Sequence, residues 1–377
     1  MSIEIVTVNS SKLKNEFINL PWKIYNKKDY PQWVAPLKIS VKELLDTKKN
    51  PFYKRAEIEL FLAKKNNEFV GRIAAIQNNA HNEFWKDQVG FYGFFECIND
   101  QKVASQLFNA AESWLKEKGF TSMRGPMNPS TNHETGLLVN GQDQHPTIMT
   151  TWNPSYYINL HTDAMFTGVK DLVAYYIPND LAQNLPAHVT KYANHMKKNS
   201  NITFRNFDMK NFNHELEICY DIYNCAWEEN WGFFPMTKEE FMHTAKDMKA
   251  IMDPRWAFIA EHEGKPAGFM LALPDINQIL KNNRSGRLFP TGLIKLLLGK
   301  KFIKTVRIIT LGVKKEFRNT GIFSLFTFES FERSKKFNIS AGEASWILED
   351  NRPMNRMWQK IGCPLYRKWR IYERPIL

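Results

Sequence analysis

Arg318, Asn319, Thr320, Gly321 and Ile322 stand between an apolar run at 306–313 and a helical stretch that extends to residue 336. That order can grip a phosphate. The first turn of a helix leaves main-chain N–H groups unpaired, and its dipole is positive there. Arg318 adds a full charge, and Gly321 lets the main chain approach a ligand with no Cβ in the way. One arginine and one glycine also describe an ordinary polar turn, so on these residues alone both readings stand. A second polar cluster, 124–136, places Asn132 and His133 among Asn, Ser, Thr and Glu in one long loop. Such sequences form turns by default, yet a long polar loop inside a compact domain is often functional. Facing a cleft between domains, it would help bind an acceptor. His133 has no second histidine at ligand spacing, and no metal is expected.

The totals set the frame for these candidates. A chain of 377 residues is too long for one comfortable core, which favours two domains. No apolar run reaches the roughly 18 residues of a membrane helix, and the start reads as a strand followed by a polar turn. Four cysteines without CxxC spacing read as reduced thiols in a cytoplasmic protein. The net charge of +12 favours anionic partners or plain solubility. No nucleic-acid-binding signature accompanies it, so no stable nucleic-acid partner is expected. A homodimer is compatible with these totals.

The elements that carry the candidates occur twice. The stretches 61–71 and 258–268 match as strand, polar turn and strand opening at Gly71 or Gly268, at an offset of 197 residues. The same offset relates Phe166, Lys170 and Tyr175 to Cys363, Arg367 and Tyr372. A constant offset at both ends implies a duplicated domain. The first copy runs from strand 89–97 into helix 100–119, with Asp100 as its N-cap. That carboxylate would repel a diphosphate, so this copy is expected to bind none. The second copy runs from strand 306–313 into helix 321–336. It carries an insertion, 281–304, with seven basic and no acidic residues. The insertion could lie on anionic lipid or RNA, although capping of its own domain is the commoner role for such a segment. The expected organisation is a domain over 1–185 that lacks the phosphate loop, a linker over 186–205, and a ligand-binding domain over 206–377.

The segment around Gly321 resembles the coenzyme A loop of the GNAT acyltransferase superfamily, a hydrophobic strand followed by R/Q-x-x-G-x-G/A opening a helix. Phe323 stands at the last small position and must turn into the core, beside Phe326 and Thr327, to leave the phosphates room. Residues 342–363 resemble the family's downstream signature. Asn351 matches the Asn that faces the pantetheine arm, whereas Trp358 stands where many members place an acidic Tyr. Trp cannot supply that proton. The resemblance covers residues 206–377.

It implies an α/β (α+β) fold of two tandem GNAT-like domains, each a mixed, mostly antiparallel twisted sheet flanked by helices. It further implies an acyltransferase that moves an acyl group, acetyl first among them, from acyl-coenzyme A to a small-molecule or peptide amine. The cofactor-binding residues would be Leu311, Val313, Arg318, Asn319, Thr320, Gly321, Ile322, Phe323 and Asn351. Main-chain N–H groups from Leu311 to Val313 would hold the thioester carbonyl, and Glu343 would be the general base. Glu228 and Trp231, in an aromatic stretch at 225–235, would wall the acceptor site with Asn132 and His133. No Cys or Ser sits in a nucleophile-plus-base motif, so attack would be direct. Two alternatives remain: an inactive coenzyme A- or ligand-binding regulatory protein, favoured by Phe323 and Trp358, and a Fem-type transferase that uses aminoacyl-tRNA.

Overall fold

The computed structural model describes residues 2–377, which divide into two compact units. The first comprises residues 2–172, 279–297 and 367–377, and the second comprises 173–278 and 298–366.

In the first unit the strand order is Ile3–Thr7, Ala56–Lys65, Glu68–Asn78, Val89–Cys97, Ser122–Gly125 and the C-terminal strand Leu365–Pro375, from residue 367 onward. Its ladders are antiparallel except between Val89–Cys97 and Ser122–Gly125. The helix Gln101–Glu117 buries Val103, Leu107, Phe108, Ala111 and Leu115, a 3.6-residue stripe, against this sheet. Each of the larger side chains contributes about 1.5–3 kcal/mol by leaving water.

The second unit repeats the scheme. Residues 173–177 of strand Thr167–Ile177 lead into Ala341–Leu348, Thr305–Val313, Lys265–Pro274, Ala257–His262 and Ile202–Asn206. The helix Ile322–Phe337 buries Ile322, Leu325, Phe326 and Phe331. The last strand of each repeat is therefore shared out. Residues 173–177 of the first repeat join the second unit, and residues 367–375 of the second repeat join the first.

Gly71 and Gly268 lie inside the strands Glu68–Asn78 and Lys265–Pro274, and do not open them as the sequence pattern suggested. Their matching role is close packing: a Cβ would stand 2.7 Å from Leu107 at Gly71 and 2.7 Å from the Gly312 carbonyl at Gly268. Residues 186–205 hold the helix Ala187–Asn199 and enter the strand Ile202–Asn206. Residues 279–297, most of the basic insertion, pack with the first unit. There Arg284 donates to the carbonyls of Tyr25, Tyr30 and Trp33, and Trp22 Nε1 donates to the Arg284 carbonyl at 2.7 Å.

Candidate active site

Strand Thr305–Val313 pairs along its length with Lys265–Pro274, with one extra residue at Ile309 breaking the register. Such a bulge bends the strand. On the other edge, parallel pairing with Ala341–Leu348 runs only from Thr305↔Ala341 to Ile308↔Ala344. Beyond that point the strands part, and residues 309–313 border a fork. Leu311 is half-buried and Val313 buried there. Among the described residues, no side chain bonds the main chain of 309–313.

The chain then makes a short 3-10 turn, Lys315–Thr320, and enters the helix Ile322–Phe337 through Gly321. Gly321 has φ +77°, a region side chains strain to adopt, and a Cβ there would lie 2.4 Å from Met196 Cε. No side chain caps this helix. Thr320 Oγ1 donates to the Phe317 carbonyl at 2.7 Å, and Asn319 is exposed. Arg318 reaches away from the helix tip. It donates to Glu229 Oε2 and to the Ala226 carbonyl, each at 3.0 Å, while Lys315 meets Glu229 Oε1 at 2.9 Å. Lys315 and then Arg318 hold the Glu229 carboxyl below the usual carboxylate range. Ile322 is fully buried, whereas Phe323 remains half-buried outside the core cluster that takes Phe326. The expected burial of Phe323 beside Phe326 is therefore only partial, because Ile322 and Phe326, one turn apart, already fill that side of the helix.

Glu343 lies next to the fork, opposite Arg307 in the parallel register and one residue before the last pair. It is 1% exposed. Its Oε1 accepts from Ser345 Oγ and stands 3.6 Å from Arg307 Nε, and its Oε2 accepts from the Tyr366 hydroxyl. Arg307 stacks its guanidinium 4.9 Å from the Trp346 ring. Tyr366 is half-buried, and its hydroxyl is bonded to the buried acid. The sequence alone does not single out Tyr366, because no local spacing connects residues 343 and 366. Asn351 caps the helix Arg352–Ile361, its side chain accepting from the Met354 N–H at 3.3 Å. Trp358 is a core residue, and its buried Nε1 has no partner among the described residues.

The expected aromatic wall is divided. Phe233 and Phe234 are core, Glu228 is exposed and Trp231 half-buried. The ring that lies on the parted strand is Trp227, at the end of the helix Phe212–Trp227. A Cβ at Gly312 would come within 2.4 Å of it, so only glycine admits this contact.

The first unit has the same fork, since pairing of Val89–Cys97 with Ser122–Gly125 stops at Phe91↔Arg124. Here the chain fills the gap itself. Asn128 Oδ1 accepts from the Phe94 N–H at 2.6 Å, and a Cβ at Gly93 would strike the Met127 carbonyl. Asp100 caps the following helix, accepting from the N–H groups of Lys102 and Val103, and Lys65 pairs with it at 2.6 Å. Glu96 is held by the hydroxyls of Tyr25 and Tyr157 and by Arg72 at 3.6 Å. His133 bonds Ser130 Oγ through Nδ1 at 2.8 Å and packs against Phe52, and the Asn132 N–H donates to the same hydroxyl. These two residues belong to a small hairpin, Met127–Asn128 with Glu134–Thr135, in the first unit. Among the described residues, no group of three or more His, Cys, Asp or Glu side chains could hold a metal ion.

No family model matches the chain. It is 32% identical over 383 residues to the bacterial ceramide synthase of Caulobacter vibrioides, covering 99% of this chain and 98% of that protein. It is 34% identical over 379 residues to protein YghO of Escherichia coli, covering 98% and 94% respectively. The chain belongs to the family of these two proteins. Among solved structures, a tandem GNAT protein from the clavulanic acid biosynthesis pathway superposes with a TM-score of 0.57 at 10% identity, covering 100% of this chain and 99% of that one. A probable N-acyltransferase from Enterococcus faecalis does so with a TM-score of 0.53 at 8% identity, covering 100% and 73%. At these identities the likeness shows the fold alone, and that fold is the tandem GNAT fold.

Proposed function

We propose that the chain is an N-acyltransferase that joins the acyl group of an acyl-coenzyme A to a primary amine, with the chemistry in the second unit. The observation that carries this reading is the contrast between the two units. Each has a fork followed by a helix. In the first, Asn128 fills the fork and Asp100 caps the helix. In the second, no side chain does either among the described residues, and Gly321 takes the place of the cap.

The second unit's parts suit the roles they would play. The diphosphate would lie on the N–H groups that follow Gly321, with Arg318 and Lys315 turning from Glu229 toward it. The pantetheine arm and the thioester carbonyl would run along 309–313, whose main-chain N–H groups would stabilise the developing oxyanion. Attack by the amine nitrogen forms the C–N bond, breaks the C–S bond and releases the thiolate. Glu343 would take the ammonium proton through the Tyr366 hydroxyl, because the carboxylate itself is buried. Asn351, spent on its helix, would have only its amide N–H groups to offer a ligand.

The acceptor class follows from the relative that makes ceramide, a long-chain amino alcohol acylated on nitrogen. The proposed acceptor is thus a lipid amine, and the proposed donor a fatty acyl-coenzyme A ahead of acetyl-coenzyme A. Full-length protein incubated with acetyl- or palmitoyl-coenzyme A and a long-chain amino alcohol tests this, with free thiol and amide product measured together. Amide formation with the long acyl chain is the expected result. Coenzyme A binding without thiol release under any combination would favour a binding protein instead.

A further inference from the structure

The helix Thr291–Gly299 turns its packing pattern inside out. Gly292 and Leu296, one turn apart, are its buried side, with Leu296 9% exposed. Ile294, Leu297 and Leu298 occupy the opposite arc and are 55%, 62% and 64% exposed. Phe289 before the helix and Phe302 after it are 63% and 70% exposed. Soluble helices place charge on that face; an exposed apolar arc on one helix, with Phe289 and Phe302 exposed in the segments beside it, signals a partner.

The charge beside the patch identifies the partner. Residues 281–304 contain seven basic and no acidic residues. Arg284 is engaged with main-chain carbonyls and is part-buried; Lys295, Lys300 and Lys304 each donate to one main-chain carbonyl yet, like Lys281, Arg287 and Lys301, are exposed. We propose that this segment docks on an anionic lipid bilayer surface, with its apolar arc in the acyl boundary and its cations among the headgroups. Three alternatives fit less well. A second copy of the chain would bring the same cations into opposition. A nucleic acid would engage the cations and stacking rings but leave Ile294, Leu297 and Leu298 in water. A membrane span is too long for it: no helix among the described residues is long and apolar enough to cross a bilayer. This docking does not rest on the acyl-transfer reading.

Flotation of the full chain tests it, using vesicles of phosphatidylcholine with roughly one-third phosphatidylglycerol and vesicles of phosphatidylcholine alone. Binding is expected to the anionic vesicles only, and to weaken as salt rises. The double variant Ile294→Asp, Leu298→Asp should lower the bound fraction at least about tenfold. Its thermal midpoint and its far-UV circular dichroism should match wild type. Four results would overturn the proposal: no flotation with either vesicle, flotation untouched by the double variant, a concentration-dependent dimer that the variant dissolves, or retention on an oligonucleotide in place of vesicles.

Discussion

Arg318 Nη1 lies 3.0 Å from Glu229 Oε2, so the cation nearest the Gly321 helix is already matched to a carboxylate of its own unit. Lys315 shares the same acid. A diphosphate arriving at the helix tip must compete with Glu229 for both. Glu229→Gln is therefore expected to tighten coenzyme A binding roughly threefold to tenfold by isothermal titration. Glu229 and Lys315 are largely exposed, so the thermal midpoint should hardly move. Weaker binding in the variant would show that Glu229 assists the ligand.

Gly321 is constrained twice, by its positive φ and by Met196. Gly321→Ala should cost about 1–2 kcal/mol of stability from the backbone alone, since the Met196 side chain is flexible enough to move aside. Gly321→Asp adds a charge where the phosphates would sit. It should weaken coenzyme A at least about tenfold beyond the alanine variant. Equal affinities for the two variants would remove the diphosphate from this tip.

Glu343 and Tyr366 separate chemistry from stability. Glu343→Gln should lower kcat about 10²–10⁴-fold. It also leaves Arg307 buried without its counter-ion, a loss of about 3–5 kcal/mol. Tyr366→Phe keeps that ion pair, so its stability loss should stay near about 1 kcal/mol. Its kcat should still fall at least about tenfold if the hydroxyl passes the proton. Wild-type turnover in Tyr366→Phe would exclude that route.

His161 provides a pH signature in the first unit. It is fully buried among Tyr92, Phe95, Phe108, Phe166 and Tyr372, with Nδ1 2.7 Å from the Tyr157 carbonyl. Burial lowers its pKa to about 4. The unfolded chain, with an ordinary histidine, takes the proton first as pH falls. The stability contribution is thus complete above pH about 6.5 and is lost progressively toward pH 4, by about 3 kcal/mol in all. His161→Phe should flatten the curve of unfolding free energy across that window. An unchanged slope would mean that another group governs acid unfolding.

What could be read from sequence followed local pattern. The apolar run 89–97 coincides with the strand Val89–Cys97, and the run 306–313 lacks only the first residue of Thr305–Val313, because buried strands write continuous apolar runs. Gly321 fell at a helix start because the strand, polar turn and glycine come in that order. Asp100 was legible as a cap for the same reason. The site's other contacts tie distant residues together. Tyr366 reaches Glu343, Asn128 reaches Phe94 and Glu229 reaches Arg318 across 23, 34 and 89 positions. Tertiary packing chose these pairs, and nothing in the flanking residues marks them. Phe323 shows the limit of helical arithmetic: it placed the residue beside Thr327, but Ile322 took the buried side.

The exchange of final strands sets an order of events during synthesis. The first half of the chain leaves the ribosome early, yet the strand that finishes its sheet, from residue 367 onward, is made only after the residues of the second unit. At typical elongation rates those roughly two hundred intervening residues take about 10–40 s. Throughout that interval the edges at Ser122–Gly125 and Leu137–Asn140 lack their native neighbour. The nascent protein must therefore shield an unfinished β edge until residues 367–375 emerge, which makes its yield in a cell sensitive to translation speed and chaperone supply.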